Sequence, residues 1–237
     1  MFGAFSNIID RMHPVSEDIS KQLKALPYWN GGTDHLLFEL SDAPCMPYEI
    51  GQAIAAKSGL SEFHLRKQHD ISMPLFGMVE FSNEQRRSPP ENRRFLLTFR
   101  GTRSERSDAM RNELYRIHNG KDIVLLLACR WFGVNEEFDY SIPDMNCATQ
   151  EKSFQEYTFT ELSVESKFAL IVEGFGYNSF RLTEMMSAGS IPVICVDHYV
   201  LPYADILDWE NFSIRVPEHK FEQVCLCVLV WFVLRTY

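Results

Sequence analysis

Apolar runs of strand length alternate with helix-length segments over the second half of the chain. Runs of this kind lie at residues 95–99, 123–129, 168–172, 191–196 and, more weakly, 212–216. Each is apolar at nearly every position, which is typical of strands buried on both faces of a parallel sheet. The pattern therefore predicts an α/β domain with a doubly wound parallel sheet.

Helices are expected between these strands. One begins after a Ser107 cap and runs to about residue 118, where Asn119-Gly120 ends it. Another is capped by Ser179 and runs to residue 188, before Gly189. Between them we expect a polar loop to about residue 153 and then a short helix over 156–163.

The first third is less regular. We expect a strand at 36–40, a short helix at 50–58 that Gly59 ends, and a weak strand at 71–76. Segment 83–94 is polar and contains Pro89-Pro90, the composition of a linker.

These features predict four parts of the chain. They are a partial N-terminal unit at 1–82, the linker at 83–94, a second unit at 95–224 and an atypical apolar tail at 225–237.

The charge is distributed unevenly. The chain of 237 residues has a net charge of −9, which argues against nucleic-acid binding over the whole surface. Residues 86–121, however, hold ten basic and four acidic residues, a net charge of +6. A basic window in an acidic protein suits a small polyanionic ligand. The alternative is a solvated, arginine-rich loop and helix face.

The six cysteines do not form a zinc-binding pattern. Cys225 and Cys227 are one residue apart, and no histidine pair has ligand spacing, so no metal site is predicted. Cys129 and Cys147 flank a polar loop and would form a bridge in an oxidising compartment. The alternative is that all six are free, mostly buried thiols.

Neither end has the features of a membrane segment. The first 20 residues lack the basic start and long apolar stretch of a signal peptide. Residues 224–234 are strongly apolar but fall short of the ~20 residues that a spanning helix needs. We expect core-like sequence there.

A glycine-rich turn precedes the helix that Ser179 caps. Gly174 and Gly176 allow a ligand to approach the backbone closely. The N–H groups of Phe180 and Arg181 would present the positive end of the helix dipole. Such a corner can bind phosphate, although similar turns also occur for packing alone.

Two arginines follow the first strand of the regular half. Arg100 and Arg103 flank Gly101 at the expected carboxyl end of the sheet, where ligands bind in open α/β folds. Their guanidinium groups would meet a phosphate there through charge-assisted hydrogen bonds.

Three other residues are candidates for polar contacts. Glu184 would accept hydrogen bonds from ribose hydroxyls, or would form a surface ion pair with Arg181. Asp197 and His198 follow the strand at 191–196. They would serve as a catalytic base or substrate contact, or as ordinary turn residues.

Several segments resemble, in order, motifs of the exostosin-type glycosyltransferases (glycosyltransferase family 47), and in particular the heparan sulfate exostosins. They are LPYWNGGTDHLLF at 26–38, IGQA at 50–53, DISMPLF at 70–76, FRGTR at 99–103, RNELYRIHNGKD at 111–122 and SFRLTE at 179–184. The stretch GSIPVICVDHYVLPYADILDW at 189–209 continues the likeness.

The resemblance implies a glycosyltransferase B fold with Rossmann-like halves, truncated at both ends, the first on the acceptor side and the second binding a UDP-sugar. It implies transfer of glucuronic acid, or a related sugar, to a growing heparan sulfate or other glycosaminoglycan chain, with inversion and without a tightly bound cofactor. It also implies a type II membrane protein of the endoplasmic reticulum and Golgi with a lumenal domain, acting as an oligomer with itself or another exostosin.

The resemblance also assigns site residues. Those expected to bind the UDP-sugar are Arg100, Arg103, Gly174, Ser179, Arg181 and Glu184. Cys129 and Cys147 match a cysteine pair of the family, which supports a disulfide between them. Asp197 is a candidate for the catalytic base, which the sequence does not otherwise identify.

One departure from the family pattern concerns charge. Glu173 stands where the family has an arginine expected to face the anionic donor. Two unit charges 4 Å apart interact with about 4 kcal/mol at an effective dielectric constant of 20, so the substitution changes the sign of a sizeable interaction. The alternative function is therefore a non-catalytic exostosin-like subunit or fragment that supports an active partner.

Overall fold

The structure is a computed structural model, and its described residues form two compact units. It describes residues 18–41, 43, 45–86, 88–102, 108–128, 147–174 and 176–235. The smaller unit holds the described residues up to Pro74 together with His198–Leu207. The larger unit holds those of Leu75–Asp197 and those from Asp208 onward. The expected linker, 83–94, lies within the larger unit, and the roles given to the two halves stay predictions.

The smaller unit contains a helix over residues 18–25 (α1) and a three-stranded parallel sheet. Its strands, in spatial order, are β1 (Leu36–Glu39), β2 (Ile54–Ser58) and β3 (Ile71–Met73). The strands expected at 36–40 and 71–76 are thereby confirmed.

The helix expected at 50–58 is wrong, because most of that segment forms β2. This strand is central and pairs with β1 on one side and β3 on the other. Ala55 and Ala56 are fully buried in it. Alanine favours helices in isolation, but pairing on both edges and burial on both faces outweigh that weak preference.

Two glycine turns meet before these strands. The Gly31 carbonyl accepts a hydrogen bond from the Gln52 N–H at 2.8 Å. Gly32 has a φ of +88°, and a Cβ there would lie 2.6 Å from both the Ala53 nitrogen and the Ile50 oxygen. The close approach of two backbones therefore requires the glycines of WNGG and IGQA.

An ion pair with backbone contacts holds the chain before β3. The Arg66 guanidinium donates to both carboxylate oxygens of Asp70, at 2.6 and 2.9 Å, and the Ala55 N–H donates to the same carboxylate. Burial raises the pKa of Asp70, but these hydrogen bonds and the charge of Arg66 outweigh it and hold the pKa below its usual value.

The larger unit is built on a five-stranded sheet in which all neighbouring strands run parallel. The strands are β4 (Phe95–Thr102), β5 (Ile123–Ala128), β6 (Ser166–Val172), β7 (Ile191–Cys195) and β8 (Ile214–Arg215). Their spatial order is β5-β4-β6-β7-β8, an order typical of doubly wound folds. The predicted α/β class with a parallel sheet is confirmed.

Helices cover both faces of this sheet. They are α2 (Asp108–Ile117), α3 (Cys147–Glu156), α4 (Phe159–Val164), α5 (Phe180–Ser187) and α6 (Val224–Arg235). Leu114 of α2 and Val224 and Val228 of α6 pack into one core cluster. Phe154 of α3 and Leu162 of α4 pack into another with Phe95.

The loop expected up to residue 153 is wrong in its last part, because α3 begins at Cys147. Of its described side chains, Phe154 is the one that packs against the core. A helix with so narrow an apolar face gives almost no periodic signal in the sequence. The short helix expected next is α4, where the Thr158 hydroxyl accepts a hydrogen bond from the Glu161 N–H.

The apolar end of the chain packs against the sheet, as expected for core-like sequence. Val224 and Val228 are fully buried, and Trp231 lies edge-on to Phe168 at 5.5 Å between ring centroids. Among the helices of the described residues, none has the length and apolar character needed to cross a membrane.

Arg93 is a buried cation that joins β6 to the end of α5. Its guanidinium donates to the carbonyls of Ser166 and Ala188, both at 2.9 Å, and to the Ser190 hydroxyl at 3.3 Å. Its Nε donates to the Ser88 carbonyl at 3.1 Å. Burial lowers the pKa of Arg93. One side chain thus donates to three backbone carbonyls, including two in the buried region between β6 and α5.

Replacing Arg93 with alanine should destabilise the chain. Arg93→Ala removes four hydrogen bonds, three of them buried, so we expect the free energy of unfolding to fall by about 3 kcal/mol. The matched control is Arg94→Ala, since the Arg94 side chain is mostly exposed and its Glu161 partner is 3.9 Å away. That change should cost less than about 1 kcal/mol. Urea unfolding measures both, and equal losses would contradict this role for Arg93.

The HNGKD segment forms the turn between α2 and β5. The Asn119 side-chain oxygen accepts hydrogen bonds from the N–H groups of Lys121 and Ile123, both at 3.0 Å. The Leu125 N–H donates to Nδ1 of His118 at 3.0 Å. An accepting Nδ1 requires an imidazole without a proton there. Burial also lowers the pKa of His118.

This histidine should make stability depend on pH. The folded pKa is lower than the unfolded value of about 6.5, so the fold favours the neutral ring. The contribution of the neutral His118 ring to stability is complete above the pKa of the unfolded state and is lost as pH falls through the pKa of the folded state. We expect the free energy of unfolding to fall between about pH 7 and 5. His118→Gln, which keeps an acceptor but does not titrate, should show a flatter profile over that window, and identical profiles would refute the assignment.

Candidate functional site

The larger sheet has a topological switch point between β4 and β6. From β4 the chain continues to β5, which pairs with one edge of β4, and then crosses to β6, which pairs with the other edge of β4. In open α/β sheets, ligands bind in the crevice outside the carboxyl ends of the strands at such a point. The two carboxyl ends here are Thr102 and Val172.

Arg111 bridges these two strand ends. It is buried, and its guanidinium donates hydrogen bonds to the carbonyls of Thr102 and Glu173. The side chain comes from α2, within the RNELYRIHNGKD segment. It was not among the predicted site residues, although it lies in the basic window, which was the signal that could have identified it.

Two further guanidinium groups lie at the same edge. That of Arg181, from α5, is 4.4 Å from the ring centroid of Phe99, and that of Arg111 is 5.7 Å from the same centroid. The guanidinium of Arg100 lies 3.7 Å from the centroid of Phe154. Cations placed over aromatic rings are stabilised by the ring quadrupole. We call Arg100, Arg111 and Arg181 the arginine cluster.

The positive charges of the arginine cluster affect one another. The pKa of Arg181 is lowered to about 10, chiefly by burial; the charges of Arg111 and Arg100 contribute to the lowering, while Glu184 opposes it. This repulsion means that a bound anion would stabilise the arrangement. Of the predicted arginines, Arg100 and Arg181 are therefore brought together. Arg103 lies outside the described residues, and its role stays a prediction.

Gly101 allows the cluster to pack closely. A Cβ at this position would lie 2.8 Å from the Phe99 ring and 3.2 Å from Nη2 of Arg181. Even an alanine would therefore push the ring or the guanidinium away. The glycine of FRGTR is explained by this contact and not by an unusual backbone angle.

The start of α5 lies next to the cluster. The Ser179 hydroxyl accepts a hydrogen bond from the Arg181 N–H at 3.3 Å, which confirms the predicted N-cap. In the turn before it, the Gly174 N–H donates to the Gly176 carbonyl at 3.0 Å. Gly174 has no positive φ, and a Cβ there would lie 3.3 Å from the Asn178 carbonyl oxygen, so this glycine serves close approach and not an unusual conformation. The roles of Gly174 and Gly176 in ligand binding stay predictions.

Asn178 was not predicted as a site residue. Its side chain is 2% exposed, and neither its oxygen nor its nitrogen has a hydrogen-bond partner among the residues that the structure describes. A buried amide without partners is costly unless another group satisfies it. Its position immediately before the cap of α5 was the available signal, and it adds unused hydrogen-bonding capacity to this corner.

Glu184 holds a neighbouring segment against α5. Its Oε1 accepts hydrogen bonds from the N–H groups of Met78 at 2.9 Å and Val79 at 3.2 Å. The Thr183 hydroxyl donates to the Leu75 carbonyl at 2.7 Å. We call residues 75–81 the strap. Glu184 is buried and not on the surface, and the expectation that it binds ribose stays a prediction.

The other predicted residues lie in local contacts. Oδ1 of Asp197 accepts from the Glu218 N–H at 3.3 Å, and Glu218 accepts from the Asp197 N–H at 3.0 Å. This reciprocal pair joins the end of β7 to the short helix Glu218–Gln223. His198 belongs to the smaller unit, where its ring pairs with Glu62. A catalytic role for Asp197 stays a prediction.

The predicted disulfide falls on residues that the structure does not describe in full. Cys129 lies outside the described residues, and only the backbone of Cys147 is described, at the start of α3. The bridge therefore stays a prediction. The described thiols of Cys45, Cys195, Cys225 and Cys227 are free. Within the same described part of the chain, no cluster of His, Cys, Asp and Glu is arranged to hold a metal ion.

Removing the Glu184 carboxylate should loosen the strap. Glu184→Ala leaves the Met78 and Val79 N–H groups without their acceptor, and we expect about 2 kcal/mol of lost stability with faster hydrogen exchange at both amides. Glu184→Gln keeps an acceptor oxygen, so its loss of stability should be less than half that of Glu184→Ala. Urea unfolding and amide exchange measure the two effects, and equal losses from both variants would contradict the anchoring role.

Comparison with known proteins identifies the family. The model of the exostosin GT47 domain matches residues 4–229. Exostosin-1 of Drosophila melanogaster is 32% identical over 89% of this chain, and Exostosin-1c of Danio rerio is 32% identical over 87%. Exostosin-1 of Bos taurus is 27% identical over 91%.

The chain spans about 30% of the length of these relatives, so the match concerns one part of them. Within that part, the family model extends over nearly the whole chain and includes both units of the structure. The resemblance seen in the sequence motifs is thereby confirmed: the chain belongs to the exostosin family of glycosyltransferases, glycosyltransferase family 47.

Proposed function

We propose that this chain is part of a glycosyltransferase that binds a UDP-sugar at the carboxyl edge of the larger sheet and transfers the sugar to a growing glycosaminoglycan chain. The observation that carries the proposal is the arginine cluster at the switch point, in a chain of the exostosin family. The diphosphate of the donor is the anion that the cluster suits.

The geometry supports different roles for the residues around the diphosphate. Arg181 and Arg100 would donate charge-assisted hydrogen bonds to its oxygens, as arginine does to phosphate. Arg111 keeps its charge at the same edge because it is bonded to the two strand ends. The positive end of the α5 dipole and the buried amide of Asn178 would complete the contacts.

The same charges bear on the transfer step. When the bond between the sugar and the diphosphate breaks, negative charge accumulates on the departing UDP. Positive groups already fixed in place stabilise such charge without reorganising at the moment of reaction. Three arginines held by aromatic rings and carbonyls are preorganised in this sense. On this proposal the donor needs no tightly bound cofactor.

The finer assignments rest on the likeness to the exostosins. They are transfer of glucuronic acid or a related sugar to heparan sulfate with inversion, a lumenal location in the endoplasmic reticulum or Golgi, a Cys129–Cys147 bridge and assembly with another exostosin. The motif series and the Exostosin-1 relatives support them. The smaller unit is proposed to take the acceptor side, because we propose the donor site in the larger unit.

Calorimetric titration with UDP tests the donor site. We expect UDP to bind the chain, and Arg181→Ala to weaken binding by at least about 10-fold, a typical effect of losing a charged hydrogen-bonding partner. Arg103→Ala should have a comparable effect. The matched control is Arg116→Ala, an exposed arginine paired with Glu113 and Glu222, which should leave the affinity unchanged.

Two results would count against the proposal. One is the absence of UDP binding by a chain that unfolds cooperatively. The other is an equal loss of affinity in Arg181→Ala and Arg116→Ala, since that would reflect the overall charge of the protein and not a site.

A non-catalytic subunit that supports an active exostosin is a second candidate. The observation that favours it is Glu173, an acid at the edge where the Arg111 guanidinium meets its carbonyl. A transfer assay with UDP-glucuronic acid and a heparosan-type acceptor separates the two functions. Binding of UDP with transfer supports the enzyme. Binding without transfer, with or without Glu173→Arg, supports the subunit.

A further inference from the structure

The strap exposes two large apolar side chains although its backbone is held firmly. Phe76 is 63% exposed and Met78 is 77% exposed. The backbone around them is fixed by Thr183 at Leu75 and by Glu184 at Met78. Two large apolar side chains exposed two residues apart on an anchored segment are candidates for contact with a ligand.

The far end of the strap is fixed as well. The Phe81 side chain is buried, and its carbonyl accepts a hydrogen bond from Nε of Arg86 at 2.8 Å and another from the same guanidinium. Gly77 fits closely over α5, where a Cβ would lie 2.8 Å from Cγ of Glu184. The exposed side chains of Phe76 and Met78 therefore project from a segment that is held on both sides.

The strap lies near the arginine cluster. Arg181 and Glu184 are three residues apart on α5, so they share one face of the helix and are separated by about 5 Å along its axis. Their charges interact, since Glu184 raises the pKa of Arg181. Glu184 in turn contacts the strap at Met78 and Val79. The strap thus contacts α5 about one helical turn from the residue that carries the Arg181 guanidinium.

We propose that Phe76, flanked by Met78, is the stacking surface for the base of a nucleoside diphosphate whose phosphates lie against the arginine cluster. This inference rests on the proposed function and adds a base subsite to it. The rings of nucleic-acid bases stack on aromatic side chains whatever their hydrogen-bonding pattern, and thioethers make favourable contacts with aromatic rings.

The proposal gives Glu184 a positioning role. Its carboxylate holds the strap through backbone N–H groups, so it would set where Phe76 and Met78 lie relative to the phosphates. Glu184→Gln, which keeps an acceptor oxygen, should therefore bind UDP more tightly than Glu184→Ala.

Comparing UDP with inorganic pyrophosphate tests the base subsite. Pyrophosphate has the charged groups but no base, so only UDP should depend on Phe76. We expect Phe76→Ala to weaken UDP binding about 10-fold, or ~1.4 kcal/mol, and to leave pyrophosphate binding unchanged. Phe76→Trp keeps an aromatic face and should restore most of the UDP affinity.

Two further variants keep the test sharp. Phe76→Leu keeps apolar volume without an aromatic face and should repeat the loss, which guards against a folding defect in the alanine variant. The matched control is Phe38→Ala, because Phe38 has the same exposed fraction, 63%, but lies on β1 in the smaller unit. It should leave the affinities for UDP and pyrophosphate unchanged.

Each other outcome overturns the inference. Wild-type affinity for UDP in Phe76→Ala and Phe76→Leu would place the base elsewhere. Equal weakening of UDP and pyrophosphate would show that Phe76 acts on the phosphate site and not on the base. Binding of pyrophosphate without any preference for UDP would remove the base subsite and leave the anion site. Failure of both ligands to bind the wild-type chain would refute the proposed function together with this inference.

Discussion

The larger unit depends on keeping three guanidinium groups together at one edge of a sheet. Burial and the repulsion between these like charges together lower the pKa of Arg181. The structure opposes the repulsion with the faces of Phe99 and Phe154 and with the carbonyl oxygens at the ends of β4 and β6. These contacts stabilise the cations without neutralising them, and so preserve the charge that an anionic ligand would need.

Small residues and buried hydrogen bonds around the cluster follow from this constraint. Gly101 leaves room for the Phe99 ring beside Arg181. Thr183 and Glu184, which lie on the same helix as Arg181, hold the strap against it. On the opposite end of α5, Arg93 bonds to the carbonyl of Ala188 and ties the helix to β6. The helix that carries Arg181 is therefore fixed at both ends. Sites that gather like charge cost stability, and rigid surroundings of this kind sustain them.

Much of this architecture could be predicted from the sequence, and the two wrong predictions, for β2 and α3, have a common cause. The strands β4 to β7 are continuous apolar runs, and the Ser179 cap and Gly189 mark the limits of α5 in residue types alone. Periodicity failed for β2 and α3. Alanine-rich β2 is a strand because it pairs on both edges, and α3 is a helix with a narrow apolar face. In both segments, tertiary packing outweighed local preference.

The sequence by itself determined the α/β class, the parallel sheet, the family and the presence of a basic window beside a capped helix. Those depend on residue type and spacing, which a linear pattern records. Only the tertiary structure decided that Arg111 spans β4 and β6, that Asn178 is buried beside the cap, and that Glu184 faces backbone N–H groups of the strap. The reason is physical: Arg111 and Glu184 meet groups that are remote along the chain, and folding alone brings these within hydrogen-bonding distance. The burial of Asn178 likewise depends on how the chain folds around it.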